Sequence, residues 1–349
     1  MVFDNLEFDG HEAVLFCHDR PSGLRAIISI HNTNVGPAMG GCRMAAYTSE
    51  NEALTDVLRL SKGMSYKNIM AGLPFGGGKA VIIANPATDK SPELLKAFAA
   101  QVEKLGGHFI TGEDVGIGVP DVQVMRTVTP HVRGIPENGP GDPSPMTALG
   151  VFESMKVAVQ HAFSRDTLRD IGVHVQGLGA VGMRLSALLA EAGAKLVVSD
   201  VDSNKCEEAA SRFSAEVIAT DQWPDADAEI YAPCALGATL NEETIPKLQS
   251  AIVAGAANNQ LARPEDGNRL HEKGTLYIPD YVINAGGVIS TALEGPTFDR
   301  NILLKRVTGI AETVEAIITR AKDEQIPANI IADKMAQEKL MAARTESSA

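Results

Sequence analysis

Residues 171–182 read IGVHVQGLGAVG, followed by MRLSALLAEAGA (183–194) and KLVVSD (195–200). A short apolar strand at 171–176, a glycine-rich turn, a helix to about residue 192 and a second strand make a βαβ unit, which demands a parallel sheet. The turn carries Gly177, Gly179 and Gly182 in the spacing GxGxxG, and Asp200 closes the second strand. Each part has a mechanical job. Gly177 makes the tight turn, Gly179 lets main chain approach a pyrophosphate, and Gly182 lets helix and strand pack closely. The helix start at Ala180 and Val181 turns its N–H groups toward the phosphates. A lone GxGxxG is often only a turn, but here strand, helix and acid all stand where a dinucleotide fingerprint needs them. Asp200 should accept from the adenosine ribose hydroxyls. A 2′-phosphate there would meet Asp200 and Asp202, with no Arg nearby in sequence and only Lys205 to soften the charge. NAD is therefore favoured over NADP.

On the N-terminal side lies GIPENGPGDPSP (134–145), whose four prolines and three glycines exclude regular structure. A domain boundary is placed there, giving a first domain over 1–133 and a Rossmann-type domain over 134–324. TALGVFESMKVAVQHAF (147–163) reads as a helix, and further strands are expected at 228–232, 251–255 and 276–283. Leu303, Val307, Ile310, Val314, Ile317 and Ala321 form one helical stripe that should pack on a domain face. In the first domain, AVLFC (13–17) and LRAIISI (24–30) flank DRPSG as a β-hairpin. Ser49 and Glu52 form a capping box before Ala53, Leu54, Val57, Leu58 and Met64, a helix expected to end near Gly63. Ser91-Pro92 opens another helix, with Leu95, Phe98, Val102 and Leu105 inside and Gly106-Gly107 as its stop.

The chain's 349 residues suit about two domains. With 44% hydrophobic and 21% charged residues it can bury a core, which excludes a disordered chain. The net charge of −13 argues against nucleic acid or an anionic membrane surface as partner. No apolar run approaches bilayer length. The start, MVFDNLEFDG, carries three acids and no Lys or Arg, unlike a secretory or transit signal, so a cytoplasmic protein is expected. Four scattered cysteines without a CxxC pair and eight histidines without HExxH or HxH point to no metal site and no disulfide framework. His31 and His174 lie in strand-like runs and read as packed residues.

GPAMGG (36–41), Lys67 in MSYKN and Lys79 ending LPFGGGK stand out in the first domain. GGGK invites comparison with a P-loop, but Leu73 occupies the first glycine's place and Ala80 follows the lysine. Three glycines instead let main chain pass close to a ligand. Two lysines held together there could divide their work: one stays charged and holds a carboxylate, while the other is driven toward neutrality and acts as a base. Asp114, in the glycine-flanked TGEDVG, could handle the protons of an amine. The bland alternative is that both lysines are solvated surface charges.

GPAMGGCR, MSYKN, LPFGGGKAVI, ITGEDVG, GDPSPMTALGVF, VQGLGAVG, VVSD, YAPCALGA, VAGAANNQL and YIPDYVINAGGVI, in this order, together resemble the glutamate/leucine/phenylalanine/valine dehydrogenase family. The likeness runs from about residue 10 to 340 and is closest to the leucine-specific branch. It implies an α/β protein of two domains around a cleft, an N-terminal catalytic and oligomerisation domain and a doubly wound dinucleotide-binding domain. It also implies that the last helix, about 325–349, returns to the first domain, and that the protein is a homo-oligomer. By the same resemblance Lys79 is the base that activates water, Lys67 binds the substrate α-carboxylate with main chain at Gly41 nearby, and Asp114 shuttles protons at the amino group. Thr147 would contact the nicotinamide carboxamide, and Asn258 both cofactor and substrate.

The implied reaction is reversible oxidative deamination of an L-amino acid: loss of hydride from Cα, attack of water on the iminium, and release of ammonia and a 2-oxo acid. Met39 stands where glutamate-specific members carry a Lys, so a distal carboxylate would be left unpaired and apolar substrates such as leucine, valine and isoleucine are expected. Met39, Gly112, Val288 and Thr291 should line the side-chain pocket. Gly112 replaces a usual Ala, which suggests a roomier pocket and motivates phenylalanine or tryptophan as the alternative substrate. A catalytically silent NAD-binding sensor or assembly subunit is the reading from another class.

Overall fold

The computed structural model describes residues 2–135, 139, 141–235 and 237–347, and the chain divides into two compact units. Unit 1 runs to Gly141 and takes in Thr291–Phe298 and the chain from Ala336 onward; unit 2 is Asp142–Ser290 with Asp299–Met335. The division thus falls inside 134–145 but later than 133/134, and residues 325–335 belong to unit 2. Within 134–145, residues 136–138 and 140 lie outside the described set. Ser144 and Pro145, expected to be irregular, already begin a helix. A proline fits there because first-turn N–H groups have no helical acceptor.

Unit 1 is a mixed sheet between helices. Its strands are β1 (Ala13–Asp19), β2 (Leu24–Asn32), β3 (Ala38–Met39) and β4 (Cys42–Ala45), then, after helix α1 (Glu50–Met70), β5 (Gly76–Ile83) and, after α2 (Pro92–Lys104), β6 (Phe109–Ile110); α3 (Val119–Arg126) follows. The order is β1-β2-β5-β3-β6, with β4 also pairing β5. The predicted hairpin is β1–β2, antiparallel from Ala13↔Ile30 to Asp19↔Leu24. One face packs Ile27 and Val81 on Ala53, Leu54, Val57 and Leu58 of α1. The other packs Ile28, Met44 and Ile82 on Leu94, Leu95 and Phe98 of α2 and on Val122 and Met125 of α3.

Helix α1 corrects an expectation. Ser49 caps it, accepting from the Glu52 N–H at 3.1 Å, but it passes through Gly63 and ends at Met70. Gly63 is exposed with open space around it, so its cost is about 1 kcal/mol of helix propensity. Burial of Tyr66, Ile69 and Met70 beyond it outweighs that cost.

Unit 2 begins with α4 (Ser144–Phe163), then β7 (Gly172–Gln176), α5 (Ala180–Glu191), β8 (Lys195–Ser199), α6 (Ser203–Phe213), β9 (Glu216–Val217), β10 (Ile230–Pro233), β11 (Ile252–Val253), α7 (Asp266–Lys273) and β12 (Leu276–Tyr277). Among the described residues its six strands run β12-β11-β10-β7-β8-β9, all parallel. Counted within the unit this is 3-2-1-4-5-6 read in reverse, the Rossmann order, and the strand order reverses between β7 and β10. The strand expected over 276–283 stops at Tyr277. Pro279 lacks the N–H a ladder needs and caps a short helix, α8 (Asp280–Ile283). Next come α9 (Gly286–Ala292), α10 (Arg300–Thr308), α11 (Ile310–Glu324) and α12 (Ala328–Ser347). The stripe from Leu303 to Ala321 is buried throughout, but it is shared by two helices that meet at Gly309. Among the described residues no helix is long and apolar enough to cross a membrane.

Both singled-out histidines are buried in strands. His31 Nδ1 lies 2.7 Å from Ser65 Oγ, and His174 Nε2 lies 2.9 Å from Ser199 Oγ. Burial pushes each imidazole down to about 4, with His11 adding repulsion at His31. An unfolded histidine charges near 6.5, so between 6.5 and 4 the unfolded chain binds the extra protons. The stabilisation is whole above 6.5 and is lost as pH falls toward 4. Denaturant unfolding at about pH 5 should therefore show on the order of 3–4 kcal/mol less stability than at about pH 7.5, two histidines each losing about 1.4 kcal/mol per unit. Equal stability at the two pH values would contradict their burial as neutral rings.

Candidate active site

The three motifs of the first domain meet because β3 runs parallel between β5 and β6. Met39 pairs with Gly77 on one side and with Ile110 on the other. The loop after β6 is then clamped along β4: Cys42 N–H donates to Gly112 O at 2.9 Å, and Met44 N–H donates to Val115 O at 2.8 Å. Gly41 lies so close to this loop that a Cβ there would fall 2.1 Å from Glu113 O. Gly41, Gly112 and Asp114 are thereby fixed beside β5, which carries Lys79.

Lys79 is buried, 7% exposed, and its Nζ stands 2.9 Å from Asp114 Oδ2. Burial acts to raise the Asp114 carboxyl, but Lys79 and Arg43 together outweigh it and hold it below the usual carboxylate range. Burial, with Asp114 beside it, keeps the Cys42 thiol well above its ordinary value and so unreactive. Lys67 sits in the last turn of α1, half-buried. Its neighbours abut the motifs: Ser65 N would meet a Cβ on Gly77, and Asn68 Nδ2 donates to Met39 O at 3.2 Å and Gly76 O at 2.6 Å.

Two expectations change here. The glycines of GGGK read as room for a ligand, yet Gly76, Gly77 and Gly78 face Asn32 O, the Ser65 backbone and the Phe109 ring. They let strands and helix approach one another, and Lys79 is part of strand β5. The absent methyl at Gly112 would point at Arg133 O, 3.1 Å away. The space saved there adjoins the Thr111↔Val132 pairing, which weakens the case for a pocket enlarged for aromatic substrates.

Sequence reasoning missed Arg43 and Asp56. Arg43 Nε lies 3.3 Å from Asp114 Oδ2 and its Nη1 lies 2.9 Å from Asp56 Oδ2. The only signal for it was its place after GPAMGGC.

In unit 2, Gly177 has φ +95, and a Cβ there would strike Ala235 after β10, at the reversal of strand order. A Cβ on Gly182 would lie 1.9 Å from Gly177 O, whereas Gly179 faces open space. Among the described residues no side chain caps α5, which starts at Ala180 and Val181. Asp200 accepts from Leu178 N–H at 2.6 Å and Asp202 N–H at 2.9 Å. An uncapped helix start beside an open glycine, with an acid at the next strand end, fits a dinucleotide. Lys205 Nζ is 3.9 Å from Asp202 Oδ2. Thr147 donates its hydroxyl to Pro143 O at 3.1 Å in the first turn of α4. Asn258 Oδ1 accepts from Asn284 Nδ2 at 2.8 Å, so Asn284, also missed, orients it. Val288 and Thr291 stand three residues apart on α9; Val288 belongs to unit 2 and Thr291 to unit 1.

Known proteins bear on this arrangement. Residues 11–131 match the model of the Glu/Leu/Phe/Val dehydrogenase dimerisation domain, and residues 198–321 match that of Glutamate/Leucine/Phenylalanine/Valine dehydrogenase. Leucine dehydrogenase of Geobacillus stearothermophilus is 45% identical over 341 residues, 97% of this chain and 93% of that protein. L-tryptophan dehydrogenase of Nostoc punctiforme is 46% identical over 341 residues, 97% of this chain and 96% of that protein. The crystal structure of L-tryptophan dehydrogenase from Nostoc punctiforme superposes with a TM-score of 0.87 at 44% identity, covering 96% of this chain and 97% of that one. With near-complete coverage by these relatives and matching models on both units, the chain belongs to the glutamate/leucine/phenylalanine/valine dehydrogenase family and is an amino-acid dehydrogenase.

Proposed function

We propose that the enzyme carries out NAD-dependent, reversible oxidative deamination of an apolar, branched-chain L-amino acid, leucine, valine or isoleucine, to its 2-oxo acid and ammonia. Met39 carries the substrate reading: it is buried, 3% exposed, in register with Gly77 two residues before Lys79. A thioether cannot pair with a distal carboxylate, so glutamate would leave a buried charge unmatched. The likeness to a leucine dehydrogenase supports the same assignment.

In this reading Lys67 holds the α-carboxylate, with main chain at Gly41 beside it. The dinucleotide supplies the hydride acceptor when bound; Gly177, Gly179, Ala180, Val181, Gly182 and Asp200 would hold it, with Thr147 and Asn258 at the nicotinamide end. Lys79 takes the proton of the water that adds to Cα. It does so as the free amine, its own proton lost before the water adds, and Asp114 stands 2.9 Å away as its ionised partner. Asp114 then serves the departing amine. Asp200 with Asp202 favours NAD over NADP, and Lys205 is already turned to Asp202. We assign the protein to the cytoplasm, in keeping with its free thiols, and to a homo-oligomer, in keeping with the dimerisation-domain match.

An amino-acid panel with NAD, followed as NADH absorbance, tests this. Leucine, valine and isoleucine should all react, within roughly 200-fold of one another in kcat/KM, since a methylene is worth about 1–3 kcal/mol. Glutamate should be slower by on the order of a hundredfold to several thousandfold, the rate equivalent of about 3–5 kcal/mol for an unpaired buried charge. Phenylalanine or tryptophan exceeding leucine by about tenfold would replace the branched-chain assignment with an aromatic one.

A further inference from the structure

Arg43 is placed by backbone before its side chain acts. The two hydrogen bonds that clamp the 112–115 loop to β4 are made by its neighbours, Cys42 and Met44. Its guanidinium then spans two acids, Nε to Asp114 and Nη1 to Asp56. Asp114 Oδ2, the atom Arg43 takes, is the same oxygen that faces Lys79 Nζ. Behind it, Asp56 Oδ2 also accepts from Tyr47 Oη at 2.8 Å, and Asp56 Oδ1 accepts from Arg59 Nη2 at 3.2 Å. The Tyr47 phenol is raised by burial and by Asp56, so it stays a donor. Arg43 is only 21% exposed at its side chain.

We infer that Arg43 is the positioning residue of the Lys79–Asp114 pair: anchored on Asp56 and Tyr47, it fixes which carboxylate oxygen Asp114 presents to Lys79. This rests on the reading that Lys79 and Asp114 move the protons. A planar guanidinium suits the task because it reaches two carboxylates at once from one rigid group. A lysine at position 43 would keep the charge and lose the bridge. The titratable groups around the pair are Lys79 on β5, Asp56 and Arg59 on α1, Tyr47 and Cys42 on either side of Arg43, and Asp114 itself.

Arg43→Gln, Arg43→Lys and Asp56→Asn should be compared with Lys79→Ala and Asp114→Asn in the full enzyme, with kcat, KM and their pH dependence read for leucine and NADH affinity read by fluorescence. Arg43→Gln should lower kcat on the order of tenfold to a hundredfold, the usual penalty of a misplaced catalytic group, with KM and NADH affinity changed far less. The acidic limb of its kcat profile should move to higher pH, because Asp114 loses one of two cations. Arg43→Lys should return the limb toward its original position while kcat stays low. Asp56→Asn, which leaves Arg43 present but unanchored, should lower kcat in the same direction; it reads the anchoring even where Arg43→Gln does not fold. Normal kcat and pH profile in both Arg43→Lys and Asp56→Asn, beside inactive Lys79→Ala and Asp114→Asn, would overturn the inference and leave the proton-transfer reading standing. Normal turnover in Lys79→Ala would overturn both.

Discussion

Lys79→Ala should give a folded protein that binds NADH and turns over essentially no amino acid. Lys79 is a buried amine where the unit 1 motifs meet, and its Nζ stands 2.9 Å from Asp114 Oδ2. A positioned general base contributes about 10²–10⁴ in rate, so the loss should lie in that range or beyond, because Asp114 also loses its proton partner. The fold should survive. Removing one member of a buried pair costs about 3–5 kcal/mol when the other is stranded, but Asp114 keeps Arg43 at 3.3 Å, so the cost should be smaller. The dinucleotide residues sit in unit 2, away from the substitution in the chain, and NADH fluorescence titration should match the parent protein. Measurable binding with absent turnover is the expected pair of results.

The second large effect concerns architecture. Gly77→Ala should unfold the protein or cost more than about 3 kcal/mol, beyond ordinary overpacking. The added Cβ would lie 2.1 Å from Ser65 N and 2.4 Å from Ser65 Cα. Those are backbone atoms of α1, so no side-chain rotation relieves the clash; the helix has to leave the strand, and with it go Lys67 and the Asn68 bonds to Met39 and Gly76. Gly63→Ala is the matched control. It lies on the same helix with open space around it, and it should stabilise by up to about 1 kcal/mol through helix propensity alone. Denaturant unfolding of both variants should give opposite signs. A Gly77→Ala protein as stable as its parent would show that α1 and β5 are not packed as described.

Local rules read most of the molecule. The hairpin at β1–β2, the capped starts of α1 and α2 and the βαβ unit around Gly177 each follow from residues adjacent in sequence, where propensity, capping and turn chemistry agree. What local rules could not read was set by tertiary contact. Gly63 looks like a helix stop, and the burial of Tyr66, Ile69 and Met70 shows why the helix continues. The GGGK glycines look like a ligand loop until the Ser65 backbone and the Phe109 ring appear against them. Pro279 ends a strand that its apolar flanks suggested would run on.

The site divides the same way. Motif and resemblance single out Lys67, Lys79 and Asp114 as candidates, and the structure brings Lys79 and Asp114 into contact. Arg43 also shares Asp114 with Lys79. Nothing in sequence spacing links Arg43 to Asp56 and Asp114, since strand register and the loop clamp bring them together.

Rescue of Lys79→Ala by small primary amines addresses the base assignment at its root. Adding such an amine at fixed pH to the variant with leucine and NAD should restore NADH formation in proportion to the amine's free-base concentration, because the amine replaces the missing proton acceptor. Leucine oxidation by Lys79→Ala at the parental rate, with no amine added, would contradict the assignment.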